Sequence, residues 1–169
     1  GAMEAMQKNE LNSKIPIIFG LINSYQIHNL LEQHNAKTKE SKAVFLIRDS
    51  STYPGLLTIS YYCQEQDIVK HIRFGLTDKG WKTAPKPPHE PLKSDSPEIK
   101  EKYTLDKIKF ERKMKQFINT AKKLFEQHIR AESFKTLIME LKIHEFNLEG
   151  LIKPTRSQAS QEKHFTDYV

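Results

Sequence analysis

Residues 44–48 read Val-Phe-Leu-Ile-Arg, and this run constrains the fold more than any other. Four successive apolar residues leave no polar face, so a strand here must be covered on both sides. Alternation places Val44, Leu46 and Arg48 on one face and Phe45, Ile47 and Asp49 on the other. Arg48 therefore follows two core residues on the same side. A guanidinium cannot shed its proton, so burying it calls for a counter-charge or a strong acceptor. Asp49 points the other way. A salt bridge to a distant acid is the ordinary solution for a lone arginine. Here, however, a hydroxyl-rich turn follows at once: Ser50-Ser51-Thr52, then Tyr53-Pro54-Gly55 and a second apolar run, Leu56 to Ser60. Arginine, hydroxyls and the amides of a tight turn in one contiguous stretch are the parts of an anion pocket.

Around this stretch the pattern is mixed helix and strand. Asn23 or Ser24 can cap a helix with apolar positions Ile27, Leu30 and Leu31, ending near His34, and Asn35 to Lys42 reads as a polar loop. Strands are expected at Val44–Arg48, Leu56–Tyr62 and Ile68–Phe74, the last two joined by the turn Gln64 to Asp67, which gives an antiparallel meander. On the third strand Ile68, Lys70, Ile72 and Phe74 share one face, and Val69, His71 and Arg73 the other. Gly80–Thr83 can add a short strand, with Trp81 as an anchor. Residues 84–97 then carry Pro85, Pro87, Pro88, Pro91 and Pro97, which excludes regular structure. A long helix follows, with Thr104 as its cap and Leu105, Ile108, Phe117, Ile118, Ala121, Leu124, Phe125 and His128 as its stripe. Ser133 can cap a further helix facing inward with Phe134, Leu137, Ile138 and Leu141, and 148–152 form a closing segment. The last fifteen residues read as a polar tail, in which Asp167-Tyr168-Val169 is more plainly a tail than a signal.

The chain of 169 residues suits one domain with a core of its own. Its net charge of +6 favours anionic partners. Residues 84–132 contribute twelve Lys and Arg against eight Asp and Glu. That mix fits a solvated helix face, although a basic nucleic-acid- or acidic-lipid-binding module using this helix is the competing reading. Cys63 is the only cysteine, so no internal disulfide forms. A tyrosine-phosphatase loop needs Cys-x5-Arg, and the sixth residue after Cys63 is Val69, so catalysis is not expected. The seven histidines show no zinc spacing, so neither metal nor cofactor is expected. No apolar stretch is long enough to span a bilayer, and no secretory signal is apparent.

A phosphate monoester dianion offers three acceptor oxygens, and a forked arginine satisfies two of them. Phe45-Leu46-Ile47-Arg48-Asp49-Ser50, with Pro54-Gly55 and Leu57-Thr58-Ile59-Ser60 behind it, resembles the Phe-Leu-Val-Arg-Glu-Ser pattern of the Src-homology-2 family. Val69-Lys70-His71-Ile72-Arg73-Phe74 is similar to that family's third strand. Phe19-Gly20 leading to Leu30-Leu31 resembles its first helix; Phe134 to Leu141, with Gly150-Leu151 and Lys153-Pro154, resembles its second helix and closing strand. The resemblance implies a noncatalytic phosphotyrosine-peptide-binding module. Arg48 would grip the phosphate, Ser50, Ser51 and Thr52 would complete its shell, and His71 and Arg73 would clasp the tyrosine ring. It implies an α+β fold: a small central antiparallel sheet flanked by two helices, with a helical insertion before the second helix. The domain would span 14–156, the insertion 84–132 and the tail 157–169.

Three departures stand out. The first-helix arginine that usually adds a second phosphate grip falls at Ser24, leaving Arg73 or a lysine from 37–42 to replace it. Ile72 stands where an aromatic usually meets the residue after phosphotyrosine. The insertion falls on the loops that usually form the downstream specificity pocket. It is expected to clamp the peptide with low sequence selectivity, the plain alternative being that it packs on the sheet edge. Expected partners are tyrosine-phosphorylated proteins or peptides, with no nucleic acid, no membrane span and a monomeric state. The insertion makes the chain similar to Src-homology-2 domains of effectors from intracellular bacteria such as Legionella, which implies a cytoplasmic location, in that case the host's.

Overall fold

A computed structural model describes residues 16–127 and 131–161. The first dozen residues, the stripe position His128 and the terminal Asp167-Tyr168-Val169 lie outside the described residues.

Five strands form one sheet in chain order: β1 (Ile18–Phe19), β2 (Phe45–Asp49), β3 (Leu57–Cys63), β4 (Ile68–Thr77) and β5 (Gly80–Thr83). The three expected strands and the short fourth run antiparallel, as the turns between them require. β1 was not expected. It pairs parallel with β2, Ile18 opposite Ile47 and Phe19 opposite Arg48, and two residues are too few to show a period.

β2 is covered on both faces, with Phe45, Leu46 and Ile47 fully buried. On one face Phe45, Ile47, Ile59 and Phe74 pack against Phe134, Leu137 and Leu141 of α3 (Ala131–Ile143), together with Phe146. On the other, Val44, Leu46 and Tyr62 pack against Ile27 and Leu31 of α1 (Ser24–Gln33). This is the α+β arrangement expected, with the sheet between two helices.

α1 begins at a capping box: Asn23 Oδ1 accepts the Gln26 amide at 2.8 Å, and Gln26 Oε1 accepts the Asn23 amide at 3.0 Å. Of the two possible caps, Asn23 is therefore the one used. The 35–42 loop holds a 3-10 turn, Ala36–Thr38, that buries Ala36.

The inserted helix α2 runs Pro97–Gln127, seven residues earlier than its expected cap. Ser96 caps it, its Oγ accepting the Ile99 amide, and Pro97 sits in the first turn, where its missing N–H costs nothing. Thr104 lies inside the helix and donates to the Lys100 carbonyl. Leu105 and Ile108 are exposed at 56% and 46%, so they are not part of the inward stripe. That stripe is Phe110, Met114, Phe117, Ile118 and Ala121, packed with Leu56, Tyr53 and Ala84, and it passes on to Leu124 and Phe125 at the main core.

α3 also starts before its expected cap: Ser133 is inside it, and its carbonyl accepts the Thr136 hydroxyl. After the 3-10 turn Leu148–Gly150, Leu151 bridges Phe45 in parallel and the Ile152 amide donates to the Phe45 carbonyl. The chain does not trail away beyond this point. Gly20 donates to the Gln158 carbonyl, Ser160 to the Ile18 carbonyl, and Ser160 is buried. Backbone pairing of this kind needs no apolar pattern, so a polar composition concealed it.

Candidate functional site

Register builds the site. Arg48 of β2 is opposite Thr58 of β3, and Thr58 is opposite Arg73 of β4. Directly cross-strand residues project to the same face, so two guanidinium groups flank one threonine. The neighbouring row on that face is Leu46, Ser60 and His71. Arg48 Nε donates to Ser60 Oγ at 3.1 Å, Nη2 lies 3.4 Å from His71 Nδ1, and Nη1 reaches the Asp49 carbonyl at 3.5 Å. Ser60 Oγ is 2.8 Å from His71 Nδ1. Since Ser60 accepts from Arg48, its own proton points to Nδ1, which places the imidazole in a neutral tautomer with Nδ1 as acceptor.

The charges are uncompensated. Among the described residues neither Arg48 nor Arg73 forms an ion pair. Arg73 Nε is buried and has no hydrogen-bond partner among them. Burial, and then Arg73, pull the Arg48 pKa below its ordinary value. Burial is also the first cause of the His71 shift, followed by Arg48, Arg73 and His28, and together they push it down to about 4. Both shifts have the sign of a site that lacks negative charge. Arg73 is held over the ring of Tyr53, 4.9 Å from its centroid.

The hydroxyls of the turn divide. Ser50 is buried, and its Oγ accepts the Tyr53 amide at 3.1 Å while its own amide donates to the Leu56 carbonyl. It thus locks the turn two residues after Arg48. Ser51 and Thr52 are exposed in the same turn. Asp49 faces away from the arginines, as the alternation requires, and accepts the Ser160 hydroxyl at 2.6 Å. The structure therefore gathers Arg48, His71 and Arg73 with Ser50 nearby. Sequence reasoning missed Ser60, Thr58, Tyr53 and His28. The first two were accessible only through register, since Ser60 opposite His71 is meaningless until the hairpin is aligned.

The inserted helix lies on the same face. Leu56 precedes Thr58 by two residues and Gly75 follows Arg73 by two, so both share the arginine face. Phe117 of α2 fits where Gly75 has no side chain: a Cβ there would collide with its ring. α1 covers Leu46 on the other side of the arginine row, which leaves that row between the two helices. A cavity of about 630 Å3 is lined by His71 and Arg73 from the arginine face, by Ile72 of β4, and by Pro87, Thr83 and His144. From Ile68 to Ile72 no strand pairs with the outer edge of β4 among the described residues. A second cavity, about 580 Å3, borders the turn at Asp49, Ser50 and Ser51, with Gln26 and Gln158.

Residues 18–94 match the family model of the SH2 domain. That stretch is similar to an SH2 domain, and SH2 domains are phosphotyrosine-peptide-binding modules. The match ends in the proline-rich segment before α2, so the inserted helix lies beyond it. No curated protein matches the chain. Among the described residues no group of three or more His, Cys, Asp or Glu is placed to hold a metal ion, and no helix is long and apolar enough to cross a membrane.

Proposed function

We propose that this chain binds tyrosine-phosphorylated peptides through Arg48. The observation that carries the reading is a half-buried guanidinium, oriented by Ser60 and His71 and paired with no carboxylate among the described residues. A phosphate dianion supplies the missing charge, and the arginine fork meets it with two parallel bonds. Ser50, Ser51 and Thr52 complete its shell from the turn. Arg73 takes the place of the first-helix arginine absent at Ser24 and satisfies its bare Nε on the ligand. With Tyr53 on one face of its guanidinium, the other is left for the phosphotyrosine ring, a contact of roughly 0.5–2 kcal/mol. His71 holds Arg48 and Ser60 in place at the ring's edge.

The peptide leaves over β4 along the cavity that His71 and Ile72 line, and the inserted helix clamps it from the side opposite α1. A clamp that grips backbone and ring gives low sequence selectivity downstream. The test is a titration of paired peptides, phosphorylated and not, by fluorescence polarisation. Binding is expected only to the phosphotyrosine form, with phosphoserine weak because its shorter side chain leaves the ring clasp empty. Equal binding of phosphorylated and plain peptide would end this reading.

A further inference from the structure

Beside the arginine row the same face carries a second concavity. It is a groove of about 220 Å3 between the Ser50–Gly55 turn and α2, walled by Tyr53, Phe110, Met114 and Ile118, with Glu111 and Lys115 along it. The three helix residues fall at four-residue steps, one stripe of one face. Towards the C-terminal end of the helix this stripe closes on the sheet, with Ala121 buried and Phe117 over Gly75. Towards the other end Tyr53 faces it across the groove, and Phe110 and Ile118 stay partly open to solvent around a buried Met114.

Tyr53 joins this groove to the phosphate site. Its ring lies under the Arg73 guanidinium and also lines the groove. The two sites are thus separated by the width of one aromatic side chain. An extended peptide advances roughly 3.3 Å per residue, so a chain anchored at the arginines reaches the groove within about two to four residues.

We propose that the groove takes an aliphatic side chain of the bound phosphopeptide, close in sequence to the phosphotyrosine. The inference rests on the phosphotyrosine reading above. Continuity with that site is what names the occupant. The walls are apolar, and the two charges beside them are of opposite sign, so neither an acidic nor a basic side chain gains by entering. Selectivity here is for a class of side chain at one position, which a clamp of low downstream selectivity does not exclude.

The experiment uses phosphotyrosine peptides with alanine at every flanking position, and a single leucine or aspartate moved from four residues before the phosphotyrosine to four after. Leucine at one position should tighten binding about tenfold, the scale of one well-filled apolar contact, and aspartate there should not. The gain should vanish in Phe110→Ser and in Ile118→Thr, read within each variant as the ratio of its affinities for the leucine and the all-alanine peptide. In the parent, the Met114 methyl resonance should shift with the leucine peptide and stay in place with the alanine one. Binding of the alanine peptide with no leucine gain at any position, a gain that survives both substitutions, or an unmoved Met114 methyl overturns the groove alone. Failure of every phosphorylated peptide to bind the parent overturns the phosphotyrosine reading and the groove with it.

Discussion

Replacing Arg48 separates a binding arginine from a structural one. In the free protein its guanidinium is half-buried, repelled by Arg73 and opposed by no carboxylate among the described residues. Its bonds go to Ser60, His71 and the Asp49 carbonyl. Removing it relieves desolvation and repulsion, and Ser60 keeps its bond to His71. Arg48→Met should therefore melt at or above the parent temperature, as expected where a site holds charge for function at the expense of stability. Binding should behave oppositely. Losing one partner of a desolvated charge pair costs roughly 2–5 kcal/mol, which is about 30-fold to about 4,000-fold in affinity. Arg48→Lys should lose most of this as well, because one ammonium cannot serve Ser60, His71 and two phosphate oxygens together. The assay is peptide titration alongside thermal unfolding of the same preparations. A melting temperature that drops by several degrees, or micromolar affinity retained by either variant, would falsify the assignment.

Other consequences follow from the same geometry. His71 titrates near 4 in the folded protein against 6.5 unfolded, so between these values the unfolded chain holds more protons and stability is lost as pH falls from 6.5 towards 4; urea unfolding across that window should show the loss, and His71→Gln should flatten it. A bound dianion reverses the Coulomb contribution of the site, so His71 should titrate higher in the phosphopeptide complex, read from its imidazole proton resonances. Gly75→Ala places a methyl against Phe117 and Leu56 and should cost about 1–3 kcal/mol in chemical unfolding while loosening α2; unaltered peptide affinity in that variant would count against the clamp. Asn23→Ala breaks the capping box of α1 and should cost about 1 kcal/mol, measured the same way, with phosphopeptide affinity retained.

Much of this was readable from residues alone, for definite reasons. Four apolar residues in a row force a strand covered on both sides, and β2 is that strand. Alternation put Arg48, His71 and Arg73 on faces that register then brought together. Asn23 or Ser24 marked the start of α1, and Asn23 is the cap it uses. What escaped had no local signal. Two-residue β1 and the segment around Gln158 and Ser160 are held by backbone bonds that polar side chains permit but do not advertise. Pro97 closes a proline-rich run that reads as loop, yet proline favours the first turn of a helix as much as it breaks an interior, and Ser96 before it is the cap. Leu105 and Ile108 matched a helical step yet are exposed, because periodicity fixes relative direction and leaves open how far along its length a helix is covered. Ser60 and Tyr53 became site residues only in three dimensions, one by strand alignment and the other by a turn folding back over Arg73.

Ser160 donates its amide to the carbonyl of Ile18, so the strand that opens the sheet and the segment that follows the closing 3-10 turn lie side by side. The first and last described segments thus meet at one edge of the sheet. A module wired this way can be spliced into a loop of a larger protein without prying its flanks apart, and a circular permutant that joins residues 17 and 161 by a short glycine linker should fold with its binding face intact.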